Sequence, residues 1–193
     1  SPDKLGPRLT NSLGMVFARV GSLYFSIWET RVQDFTTFAT ETKHAQKGML
    51  QVVSSDGRYA AKPGADWRNP GFPQSPAHPV VGVGRADAEA FCEWLTAKAR
   101  TEGNLPAGFI YRLPTDREWS RAVGLSREPG DTPEARNGKV VEFYPWGKTW
   151  PPPPKTGHFR VEGTKLGATS PVGSFAPNQF GLLDLGGNVW EWC

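Results

Sequence analysis

The chain has 193 residues, of which 38% are hydrophobic, and its 22 Lys and Arg against 19 Asp and Glu leave a formal charge of +3. That length can bury roughly 70% of the surface the unfolded chain exposes, so no disulfide framework is required, and two cysteines could form one bridge at most. A small positive charge without a Lys/Arg run argues against nucleic acid as a partner, and no apolar stretch approaches the ~18 residues of a membrane-spanning helix.

Residues 1–12 read as a polar linker, and "SPDKLGPRLT" carries no leader pattern from which a compartment could be read. Residues 13–30, "LGMVFARVGSLYFSIWET", predict two strands that turn at Gly21 and Ser22. In "TRVQDFTTFATET" the period changes: Thr30 with Gln33 has capping-box spacing, and Val32, Phe35, Phe38 and Ala39 share one helical face. Residues 47–78 are polar and rich in proline, which predicts a long surface loop pinned by Trp67 and Phe72. "PVVGV" predicts a short strand at 79–83, and "DAEAFCEWLTAKARTEG" a helix with Asp87 as N-cap and Ala88, Phe91, Leu95 and Ala99 on its apolar stripe. Cys92 within it reads as a small buried hydrophobe. Thr115 and Glu118 in "YRLPTDREWSRAVG" form a second capping box, opening a short helix with Trp119, Ala122 and Val123 inward. Beyond Arg127, turn residues dominate and predict coil with brief strands; with 22 glycines and 18 prolines overall, the chain reads as a loop-rich α+β domain.

Candidate chemistry concentrates at the end of the chain, in "GLLDLGGNVWEWC". Asp184 and Glu191 bracket a glycine pair, an arrangement that suits calcium better than acid–base catalysis: calcium takes six to eight hard oxygens, and glycines let backbone carbonyls turn inward between two carboxylates. The spacing is not that of an EF-hand. Solvated or salt-bridged acids remain the plainer alternative. His44, His78 and His158 show no zinc-ligand spacing, and no phosphate-binding glycine loop or nucleophile elbow is present.

Taken together, "LGMVFARV", "WETRVQDFTTF", "HPVVGV", "DAEAFCEWL", "YRLPTDREW", "YPWG" and "SPVGSFAPNQFGLLDLGGNVWEW" resemble, in family order, the sulfatase-modifying-factor or formylglycine-generating-enzyme domain. The resemblance implies a modified C-type-lectin-like α+β fold over residues 13–193, incomplete at its C-terminal end. It places a calcium ion on Asp184, Gly187, Val189 and Glu191, with Trp190 and Trp192 packing beneath the loop. The family's second calcium site would fall on His158 and Thr164, which do not supply its asparagine and aspartate.

Similar enzymes oxidise a cysteine of a sulfatase-type peptide to formylglycine with a copper ion held by two thiolates. Neither Cys92 nor Cys193 matches those positions, so the resemblance assigns no catalytic residue and no copper ligand to this chain. Gly84 and Arg85 in "HPVVGVGRADA" replace a family serine and tryptophan; an arginine there needs water or a partner. The alternative reading is a non-catalytic binding or sensor module on the same scaffold, recognising another protein or ligand and linked to a kinase or receptor domain.

Overall fold

A computed structural model describes residues 7–53, 58–159 and 169–193. In chain order its elements are β1 (Leu9–Thr10), β2 (Val16–Val20), β3 (Leu23–Ser26), α1 (Val32–Thr42), β4 (Gln51–Val53), β5 (Tyr59–Ala61), α2 (Arg85–Thr101), α3 (Asp116–Val123) and α4 (Pro133–Arg136). They belong to two compact units: residues 1–29 with 114–191 and 193, and residues 30–113 with 192.

In the first unit β1, β2 and β3 form an antiparallel sheet in that order, with Val20 paired to Leu23 across the expected turn. Gly21 sits there at φ +63°, a conformation open to glycine and costly for most other residues. Ala18, Val20 and Ile27 pack with Ala122 of α3 and Leu182 into a core to which Phe25, Trp28 and Phe180 add partly buried rings. The Thr115–Glu118 capping box forms as the sequence predicts: the Thr115 hydroxyl accepts the Glu118 N–H, and the Glu118 carboxylate accepts the Thr115 N–H at 2.8 Å. Strands were expected after Arg127, but the described residues there form only a bridge between Tyr144 and Gly147 and the single turn of α4. Buried Arg136 of α4 pairs with Asp116 and Glu128 and so ties that coil to the start of α3.

The second unit is built on α1 and α2. Phe35 and Phe38 meet edge-on at 5.2 Å, and Phe91 and Trp67 close around them. Both helix starts differ from the expected caps. Arg31, not Thr30, caps α1, because Asp34 accepts the Arg31 backbone N–H and both arms of its guanidinium. Asp87 stands three residues inside α2 and not at its cap, which is Gly84. There the Asp87 carboxylate accepts the backbone N–H groups of Gly84, Lys47 and Gly48 and contacts His44 Nε2 at 2.8 Å. Arg85 stands out in solvent and bonds Glu89 one turn on, which gives the charge both water and a partner.

The predicted strand at 79–83 does not form. Pro79 makes a lone bridge to Arg31, and Gly82 turns the chain at φ +72°. A hairpin of β4 and β5 instead occupies part of the predicted loop. Trp67 is buried with the Arg68 guanidinium 4.4 Å over its ring, and half-buried Phe72 lies under Lys62.

Candidate functional site

The first unit brings three carboxylates together. The backbone N–H of Leu183 donates to the Ile27 carbonyl at 2.7 Å, which lays residues 182–184 beside the end of the β3 segment and sets Asp184 near Glu29. Asp184 and Asn188 both take positive φ, 60° and 57°, and Gly187 takes 92°, so the loop coils tightly between its two acids. A side chain at Gly187 would strike the His158 carbonyl at 2.6 Å; that close approach is sealed by the Asn188 N–H donating to the same oxygen.

Each carboxylate is tethered through one oxygen. Asp184, 4% exposed, accepts the Gly173 N–H on Oδ2, and Glu29, 9% exposed, accepts the Asn188 side-chain amide on Oε2. Glu191 accepts the Trp119 indole N–H on Oε2. The remaining oxygens Glu29 Oε1 and Asp184 Oδ1 are buried with no hydrogen-bond partner. Leaving a buried carboxylate oxygen unpaired costs on the order of 1–3 kcal/mol or more, so these two atoms call for a proton or a cation.

The electrostatics agree. Burial, then the charges of Asp184 and Glu191, push Glu29 up to about 9, with the Asn188 and Val189 hydrogen bonds acting the other way. Glu191 counts as exposed by residue surface, yet desolvation of its carboxylate, with the Asp184 charge adding, raises it to about 7 against the Trp119 bond. Asp184 is raised by burial. Three acids that resist ionising together are the electrostatic complement of a small hard cation.

Of the residues expected to hold calcium, Asp184, Gly187, Val189 and Glu191 thus lie around one loop, with Val189 half-buried and its N–H beside Glu29. Glu29 was not foreseen; an acid closing the apolar run "YFSIW" was the available signal. No group of three His, Cys, Asp or Glu side chains among the described residues is placed to hold a metal ion, so a cation here would need these carboxylates to close in on it and carbonyls such as those of Gly187 and Val189 to complete the set. Trp190, expected to pack beneath the loop, stands out in solvent at 83% exposed. Trp192 is 46% exposed, and its indole donates to the Val83 carbonyl. His158 contacts Ser170, while Thr164 lies outside the described residues. Cys92 and Cys193 are not joined in a disulfide, and burial with Glu89 and Glu93 nearby pushes Cys92 up to about 11, the opposite of a thiolate ligand. None of the described helices is long and apolar enough to cross a membrane.

The family profile described as "Sulfatase-modifying factor enzyme 1-like domain" matches residues 17–193. Formylglycine-generating enzyme of Thermomonospora curvata is 37% identical over 159 residues, covering 75% of this chain and 44% of that protein. A mouse protein named inactive C-alpha-formylglycine-generating enzyme 2 is 36% identical over 171 residues, covering 82% and 46%. The solved structure of PvdO from Pseudomonas aeruginosa superposes with a TM-score of 0.56 at 18% identity, covering 97% of this chain and 74% of that one, which supports the loop-rich α+β fold. The chain spans about half the length of the curated relatives it matches. On the profile and these identities, the chain belongs to the sulfatase-modifying-factor, or formylglycine-generating-enzyme, domain family.

Proposed function

We propose that this chain is the calcium-stabilised portion of a formylglycine-generating-type protein, and that the whole protein acts on a cysteine of a sulfatase-type peptide. The observation that carries the calcium reading is the pair of buried, unpartnered oxygens on Glu29 and Asp184, the second of which opens a loop whose next acid is Glu191. Asp184, Glu191 and the carbonyls of Gly187 and Val189 would hold the ion, with Glu29 joining them. Bound there, calcium would supply positive charge that lets all three carboxylates ionise in the interior and would fix the 184–191 loop.

Copper does not fit the residues of this chain. A Cu(I) centre asks for soft thiolates, and Cys92 is a half-buried helix residue whose thiol is pushed away from ionising. A second reading, a non-catalytic binding module, is favoured by similarity to a relative named inactive.

The calcium reading is tested on the chain itself by comparing unfolding midpoints in chelator and in excess calcium. A ligand at about a hundred times its Kd adds about 2.7 kcal/mol to stability. Glu29→Gln at pH 7 should leave the midpoint in chelator near that of the native chain, because Glu29 there holds its proton, and should remove most of the calcium gain. A native chain indifferent to calcium sinks the reading. For the second reading, incubation of the whole protein with a cysteine-containing sulfatase peptide decides by mass: conversion of the thiol to the aldehyde excludes a non-catalytic role.

A further inference from the structure

Trp119 lies on α3, half-buried, with its indole N–H donated to Glu191 Oε2 at 2.5 Å. The two residues are 72 positions apart, so the bond joins a helix anchored in the core through Ala122 to a loop that is otherwise coil. The same pattern recurs at the other two acids: the Asn188 amide holds one oxygen of Glu29 and the Gly173 N–H holds one oxygen of Asp184, while the second oxygen of each is left unpartnered in the interior. Donors that occupy one oxygen of a carboxylate fix its plane and decide where the other oxygen points. In metal sites such outer partners set ligand orientation, and their loss costs about 10- to 100-fold in affinity.

We infer that Trp119 is a positioning residue for the cation site: its indole N–H holds Glu191 by one oxygen and so aims the other at the ion shared with Asp184 and Glu29. The inference rests on the calcium reading above and assigns a role to a residue that does not itself touch the ion. Phe cannot donate a hydrogen bond yet keeps an aromatic ring on the helix, which makes Trp119→Phe the informative substitution. Glu191 then loses its indole donor, and the chelator midpoint reads any packing loss separately.

Calcium titrated calorimetrically into the native chain and into Trp119→Phe should give a Kd at least about tenfold weaker in the variant. Their unfolding midpoints in chelator should differ much less than their midpoints in calcium. Glu191→Gln and the double variant should show the two losses to be non-additive, since both act through one contact. Equal Kd values overturn the inference while leaving the calcium reading standing; no binding to the native chain overturns both. Should Trp119→Phe fail to fold, the native chain still decides. The indole N–H resonance of Trp119 should keep its hydrogen-bonded shift when calcium is added, and its release on calcium addition would show that Glu191 abandons Trp119 to bind the ion, against the inference.

Discussion

Asp87 and Glu29 are both buried acids, and their neighbours drive them in opposite directions. Desolvation pushes Asp87 upward, but His44 and the N–H groups of Gly84, Lys47 and Gly48 outweigh it and hold its pKa below the ordinary aspartate value. Glu29 has one side-chain donor, Asn188, and two acidic neighbours, so burial prevails. Asp87 therefore works as an ionised peg that gathers three backbone donors, whereas Glu29 stays protonated at neutral pH unless a cation arrives. Asp87→Ala strands those donors in an interior where Asp87 itself has no exposed surface. It should cost about 3 kcal/mol or more, read by urea unfolding at pH 7. The sign of its pH dependence follows from the lowered folded pKa: the stabilisation is complete above the unfolded pKa and is lost as pH falls through the folded value. The gap between native and variant stability should accordingly narrow in acid below about pH 4.

Among the elements, α2 owes its start to a close approach that sequence pattern does not display. A side chain on Gly48 would lie 2.0 Å from the Gly84 nitrogen, so the loop after α1 and the first turn of α2 touch backbone to backbone. Gly48→Ala must push these segments apart and break the Gly48 bond to Asp87; a loss of about 2–3 kcal/mol is expected, against little for Gly64→Ser, where nothing stands within 4 Å although its φ of +73° carries a modest strain of its own. Thermal unfolding of the two variants side by side checks this, and equal losses would refute the crowding argument. What was legible elsewhere follows the same division. The helical stripes of α1, α2 and α3 and the turn at Gly21 are local periodicities, and they form where read. The caps of α1 and α2 were misplaced because each start is held by an aspartate at the third helical position that accepts the cap N–H, so the cap itself needs no capping side chain of the usual type. The strand at 79–83 failed because apolar character does not supply a partner strand, and β4 and β5 were missed because three residues each are too few to show a period inside a polar, proline-rich stretch. In the candidate site, Asp184 and Glu191 stand close enough in sequence to be noticed, while Glu29 bonds Asn188 across 159 positions and only the folded chain joins them.

At the scale of the whole molecule, the proposed cation donors all belong to one unit. Glu29, Asp184, Gly187, Val189 and Glu191 lie in the unit built from residues 1–29 and 114–191, which is discontinuous in sequence; α1, α2 and the Asp87 peg lie in the other. An ion held by both separated segments stabilises the state in which they are assembled, so its benefit should appear wherever opening pulls Glu29 away from the 184–191 loop. Amides of β2, β3 and α3 meet that condition: β3 leads directly to Glu29, and α3 packs on the same core and donates to Glu191 through Trp119. Under conditions where exchange reports the opening equilibrium, calcium at a hundred times its Kd should slow these amides about a hundredfold, the kinetic counterpart of about 2.7 kcal/mol. Amides of α1 and α2 should exchange at rates calcium does not change, because none of the donors resides there. Hydrogen exchange followed by mass spectrometry, in chelator and in calcium, separates the outcomes. Uniform slowing of α1, α2 and the sheet would mean that both units open as one cooperative body, and unchanged rates in β3 and α3 would mean that the carboxylate cluster does not hold the ion.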